Sequence, residues 1–259
     1  MKRIDSAVPG LAPGGTIRLR SELPIGRGFG SSAALCVALA EAALAAAGTP
    51  EAIRHRSLVW SIAHHAESYF HGSPSGIDTG LAALGGLLAF MPRPPELPET
   101  WRIVMPSLNL VVGSLPRAEG AKALIAKIAQ AASPAASPAE LTLGQLGALA
   151  ESATTLLSQA SYDPADLGAL ATEAEGLLAG LGLVDPGVAK LIELGRETGA
   201  LGGKMSGAGG GGAFFLVYAD EDAALRGCRD LGKKAERLGF GGDLTLEPLL
   251  LARAPDVGA

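Results

Sequence analysis

The chain has 259 residues, 48% of them hydrophobic and only 4% aromatic, with a formal net charge of −5. That length suits one large or two modest domains, and a core of Ala, Leu, Val and Gly implies thin elements packed closely. There is no block of five or more like charges, so the composition excludes a molecule drawn as a whole to nucleic acid or anionic lipid; an anionic ligand needs a local site.

The opening "MKRIDSAVPGLAPGG" has basic residues with no apolar stretch behind them, unlike a secretory signal. Thr16 to Leu23 alternates and reads as a strand ended by Pro24. The chain then turns through Gly26, Gly28 and Gly30 into a helix from Ser31 to Ala47, stopped by Gly48. This apolar run is interrupted by Glu41 and falls short of the ~20 residues of a membrane span. A second helix is expected from Glu51 to Phe70, and "HGSPSGID" interrupts all periodicity. "TGLAALGGLLAFM" ends in a strand. "PRPPELPET" reads as a loop and marks a boundary between domains at residues 1–100 and 101–259.

"LNLVVG" is a short strand, "RAEGAKALIAKIAQAA" a helix and "SPAASPAE" a turn or linker. Helices follow at Leu141 to Gln159 and Pro164 to Leu181. Asp185 caps another that starts at Pro186 and stops at Gly199. "GAFFLVYA" and "DLTLEPLLLA" are strands flanking a helix from Asp222 to Leu238, which makes the second half a layered α+β structure. Cys36 and Cys228 lie far apart in helix-like stretches, which suits a reducing, cytoplasmic compartment.

Three stretches carry chemistry. In "PIGRGFGSSAAL" a glycine-rich turn feeds a helix, so unpaired backbone N–H groups and the positive end of the helix dipole converge on one point, an anion site. Ser31 and Ser32 can add hydroxyls to a phosphate or a magnesium ion; the alternative is a tight strand-to-helix turn in a glycine-rich chain. The spacing is neither a Walker loop nor a Rossmann fingerprint. In "KMSGAGGGGAFFLVY" the glycine run precedes a buried strand, which implies close approach of a backbone, a side chain or a ligand and conflicts with a floppy linker. In "AESYFHGSPSGID" Pro74 and Gly76 fix a turn that holds Asp78, a carboxylate suited to a general base, while Glu67 reaches the same place only through the fold. The alternatives are a turn-forming Asp78 and a solvated Glu67. His55, His64, His65 and His71 lack the H-E-x-x-H order of a zinc helix and are read as helix or turn residues.

In this order over residues 24 to 212, the three stretches resemble the GHMP kinase superfamily, and "HGSPSGID" looks most like its mevalonate kinase branch. The resemblance implies an α+β fold of two domains: a ribosomal S5 domain 2-like N-terminal domain, here shortened, and a ferredoxin-like C-terminal domain. It implies that ATP phosphates rest on Pro24, Gly26, Gly28, Gly30, Ser31, Ser32 and Ala33, with Ser206, Gly207, Ala208, Gly209 and Gly210 closing over them. It further implies Mg2+ at Ser32 and Glu67, and Asp78 as the catalytic base. The implied activity is ATP-dependent phosphorylation of the primary alcohol of mevalonate to 5-phosphomevalonate. Alternatives are a phosphomevalonate kinase, a mevalonate 3-kinase or a degenerate binding protein of the same fold; a homodimer is compatible with any of them, and no nucleic acid or membrane partner is implied.

Two departures from the family pattern stand out. Its first motif, a Pro-Gly-Lys turn followed by Gly-Glu-His, does not precede Pro24, so a lysine, a histidine and the first strands are expected to be missing, with the edge at Thr16 to Leu23 left open and Arg20 and Arg27 as partial substitutes for the lysine. Arg117-Ala118-Glu119 stands where the family often has a Thr near the substrate.

Overall fold

The computed structural model describes residues 16–71, 73–104, 106–117, 121–133, 137–207, 209–210 and 212–252. Contacts divide the chain into two units: the described chain up to Ile25 with Gly30–Ile103, and Gly26–Phe29 with the chain from Val104 onward.

The first unit is built on helices. Helix α1 (Ser31–Ala46) starts at Gly30, whose φ of 67° is left-handed. It ends where Gly48 N donates to Ala45 O and Thr49 N to Leu44 O, the pair of bonds that a left-handed glycine makes at a helix C-terminus. After a 3-10 turn at Glu51–Ile53 come α2 (Arg56–His71) and α3 (Ile77–Leu84), then a hairpin of β1 (Leu87–Arg93) and β2 (Glu96–Ile103). Cys36, Val37, Ala40, Ala43 and Leu44 of α1 pack against Val59, Trp60, Ile62, Ala63 and Ala66 of α2 and Ala83 of α3. The many alanines bring these helices close, and Trp60 fills the remaining space edge-on to Phe90.

Three expectations fail in this unit. Thr16 to Leu23 forms no strand; Ile17 and Leu19 stand 63% and 61% exposed. Alternation makes a strand only where a neighbour takes up the backbone N–H and C=O groups, and among the described residues none does. The helix expected from Glu51 to Phe70 is broken, because the ring of His55 accepts from Leu58 N and meets the Ser57 hydroxyl, which starts α2 afresh. "PRPPELPET" is strand on both sides of a Pro94–Pro95 turn. Pro92 falls at the register shift between Met91 and Arg93, and Pro98 lies in a two-stranded sheet, where an open edge spares the missing N–H a partner.

The second unit runs β3 (Leu108–Ser114), helices α4 (Ala121–Ala131), α5 (Pro138–Leu157), α6 (Pro164–Gly180) and α7 (Pro186–Glu197), β4 (Gly202–Met205), β5 (Ala213–Val217), α8 (Glu221–Arg237) and β6 (Thr245–Leu251). The sheet order is β4-β5-β3-β6, with every pair antiparallel. This is the ferredoxin-like arrangement, its first crossover enlarged to four helices. Val111, Met205, Phe214 and Leu216 of the sheet pack against Val188 and Leu191 of α7 and Leu231 of α8. The predicted punctuation holds: Asp185 accepts from Gly187 N and Val188 N at the start of α7, and Gly199 follows its end. Among the described residues no helix is long and apolar enough to cross a membrane.

Candidate active site

In the first unit, Ser32 Oγ lies 3.2 Å from His71 Nε2. One turn further along α1, the buried Cys36 thiol is pushed up to about 11 by burial and by the charge of Glu67. The two helices therefore run antiparallel, and Glu67 lies one turn back from His71 on α2. Its carboxylate is 3% exposed and is pushed up to about 7, first by burial and then by Asp78, while the Thr79 hydroxyl holds it down. A carboxylate in that position is poorly solvated and faces a like charge.

Asp78 itself is exposed, in the first turn of α3. The start of that helix is fixed by three features: Gly76 at φ 81°, Trp60 Nε1 donating to Gly76 O at 2.9 Å, and Thr79 Oγ1 donating to the same oxygen. The expected rigid turn is thus a left-handed glycine feeding a helix, with Asp78 near the positive helix end. His64 Nδ1 is buried beside Gly76 and, among the described residues, has no hydrogen-bond partner; burial together with His65 pushes its imidazole down. Trp60, His64, Glu67 and His71 recur on one face of α2. The sequence reads His64 and His71 as helix or turn residues; the signal that joins them to Glu67 is their spacing along a single helical stripe.

In the second unit, the loop between β4 and β5 is shaped by Gly207, Gly209, Gly210 and Gly212, all with positive φ. Its ends are tied by Ser206 N to Ala213 O at 2.8 Å, and its middle by Gly210 N to Leu183 O at 2.9 Å. Gly26–Phe29 packs here: a Cβ on Gly28 would stand 2.8 Å from Ala213 N, and one on Gly212 would stand 3.1 Å from Arg27 O. Glu175 accepts from Met205 N at 2.8 Å and Lys204 Nζ donates to Met205 O at 2.6 Å, so the base of the loop is fastened by a partly buried acid and base. Burial pushes Lys204 down, against the pull of Glu175.

The structure thus gathers Ser32, Glu67 and Asp78 in the first unit, with Gly30 and Ser31 opening α1, Ala33 buried in it and Pro24 half-buried before it. It gathers Gly26 and Gly28 with the loop of Ser206, Gly207, Gly209 and Gly210 in the second. Ala208 lies outside the described residues, as do Ala118 and Glu119. Of the two expected substitute cations, Arg27 donates to Asp243 O, and Arg20 sits 91% exposed beside Glu22. Arg117, which sequence reading noted only for substrate choice, lies among the glycines instead.

A ferredoxin-like unit with a glycine hairpin, joined in sequence to a helical unit that opens at a glycine turn, is a two-domain α+β architecture. The chain belongs to the GHMP kinase family: the model of the GHMP kinases N terminal domain matches residues 1–86 and that of the GHMP kinases C terminal matches 145–237. A mevalonate kinase of Thermococcus sibiricus is 31% identical over 218 residues, 82% of this chain and 62% of that protein. One from Aeropyrum pernix is 30% identical over 208 residues, 79% of this chain and 61% of that protein. The chain spans about three fifths of the length of these curated relatives. Among solved structures, L. major mevalonate kinase in complex with R-mevalonate superposes with a TM-score of 0.71 at 21% identity, covering 87% of this chain and 67% of that one. Streptococcus pneumoniae phosphomevalonate kinase gives 0.69 at 16%, covering 88% and 71%.

Proposed function

We propose that this chain carries an ATP-dependent phosphorylation of the primary alcohol of mevalonate, in the cytoplasm. The observation that carries this reading is the buried Glu67 facing Asp78 at the fixed start of α3, with Ser32 on the neighbouring helix. As the alcohol oxygen bonds to the γ-phosphorus and the bond to the bridging oxygen breaks, Asp78 accepts the alcohol proton; the products are 5-phosphomevalonate and ADP. The glycines of both loops let phosphate oxygens approach backbone N–H groups.

Mg2+ fits Ser32 and Glu67. Both offer hard oxygen donors, and the repulsion between Glu67 and Asp78 is an imbalance that a dication relieves. Among the described residues no cluster of three or more His, Cys, Asp or Glu cages a metal, as suits an ion bound by one or two carboxylates plus phosphates and water. When bound, it supplies charge neutralisation on the phosphates.

The test offers the purified protein ATP, magnesium and a panel of mevalonate, phosphomevalonate, galactose and homoserine. Phosphorylation of mevalonate is expected. Activity confined to another alcohol overturns the substrate, and no transfer to any of them overturns the reaction for this chain.

A further inference from the structure

We infer that Arg117 forms the cationic floor of a polyphosphate cradle, its guanidinium fork reaching phosphate oxygens held between Gly28, Gly207 and Gly212. This rests on the proposed use of ATP and assigns a residue to its phosphates.

Three glycines from two loops far apart in sequence border one guanidinium. A Cβ on Gly28 would stand 3.2 Å from Arg117 Nη2, one on Gly207 3.4 Å from the same atom, and one on Gly212 2.7 Å from Nε. Any side chain at Gly28 or Gly212 would press on the arginine. The glycines therefore keep open the space that the guanidinium occupies and adjoins.

Among the described residues Arg117 makes no ion pair, in a chain with an excess of acidic groups. Its Nε is buried and, among the described residues, has no hydrogen-bond partner. A buried donor without an acceptor is costly, and a guanidinium is the side chain best shaped to offer two parallel N–H groups to an oxyanion. Of the other described cations near the loops, Arg27 donates to Asp243 O, and Lys204 donates to Met205 O beside the charge of Glu175. Gly28, Gly207 and Gly212 beside Arg117 all have positive φ, the backbone conformation from which anion-binding nests are built. The ligand class this selects is a chain of phosphates, whether free or borne by a nucleoside.

Calorimetric titration of the full chain with ATP and magnesium, with inorganic tripolyphosphate and with adenosine tests the assignment. Arg117→Gln, folded by circular dichroism, should weaken ATP and tripolyphosphate by about tenfold or more and leave adenosine unchanged. Arg117→Lys keeps the charge but loses the fork, and should weaken tripolyphosphate by a smaller factor. That variant decides the matter if the glutamine chain does not fold. Unchanged tripolyphosphate affinity in a folded variant overturns the inference, as does an equal loss for ATP and adenosine, which marks a purely structural arginine. The two proposals fail separately. A wild-type chain that takes tripolyphosphate, sensitively to Arg117, but not ATP overturns nucleotide use and supports the cradle. One that takes ATP with no dependence on Arg117 does the reverse, and one that takes neither overturns both.

Discussion

Asp78→Asn keeps the shape of the side chain and removes its charge, so kcat should fall by ~10² or more while ATP affinity changes little; a kcat near wild type would remove Asp78 from the role of base. Glu67→Gln acts on another quantity. It leaves a buried, neutral amide where a carboxylate faces Asp78, and the magnesium concentration for half-maximal rate should rise several-fold. An unchanged metal titration would argue that Glu67 only packs. Asp78 was legible in the sequence because "HGSPSGID" is contiguous and fixes its own backbone, whereas Glu67 lies before that stretch and meets Asp78 only through the fold. His71 and Arg117 were not, because a histidine at a helix end and an arginine after a strand acquire meaning only from what lands opposite them: Ser32 in one case, three glycines in the other.

Elements were readable where residues mark their ends. Asp185, Pro186 and Gly199 announce α7, and Asp163 and Pro164 announce α6 in the same way. Asp185 satisfies two N–H groups at once, so Asp185→Ala should cost about 1 kcal/mol, seen as a lower denaturant midpoint with an unchanged slope. Elements whose existence depends on a distant partner misled. Thr16 to Leu23 has the alternation of a strand and no neighbour among the described residues, whereas β1 and β2 have prolines that argue against strands and a hairpin partner that overrides them. Pairing is a property of two segments, and a pattern read along one of them sees half of it.

At the scale of the whole molecule, the layered α+β class of the second half was legible from its strands and capped helices, whereas the ferredoxin-like order was implied only by the family resemblance of the three motifs. The division of the glycine turn was not: Gly26–Phe29 packs with the second unit while Gly30 opens a helix of the first, a matter of contacts that composition does not encode. The central strand β3 has a temporal consequence. Both of its partners, β5 and β6, lie about 100 residues or more downstream. As the chain leaves the ribosome, β3 must wait with one edge unpaired until β5 has been made and the other until β6, the last strand of the sheet, has been made. A chain ended just before Thr245 should consequently pellet on expression and lose cooperative unfolding, whereas a soluble, cooperatively melting truncation would show that β3 and β5 suffice. Synthesis is thus an interval in which β3 is open to wrong pairing, and a chaperone that covers a nascent β3 should raise the yield of this protein.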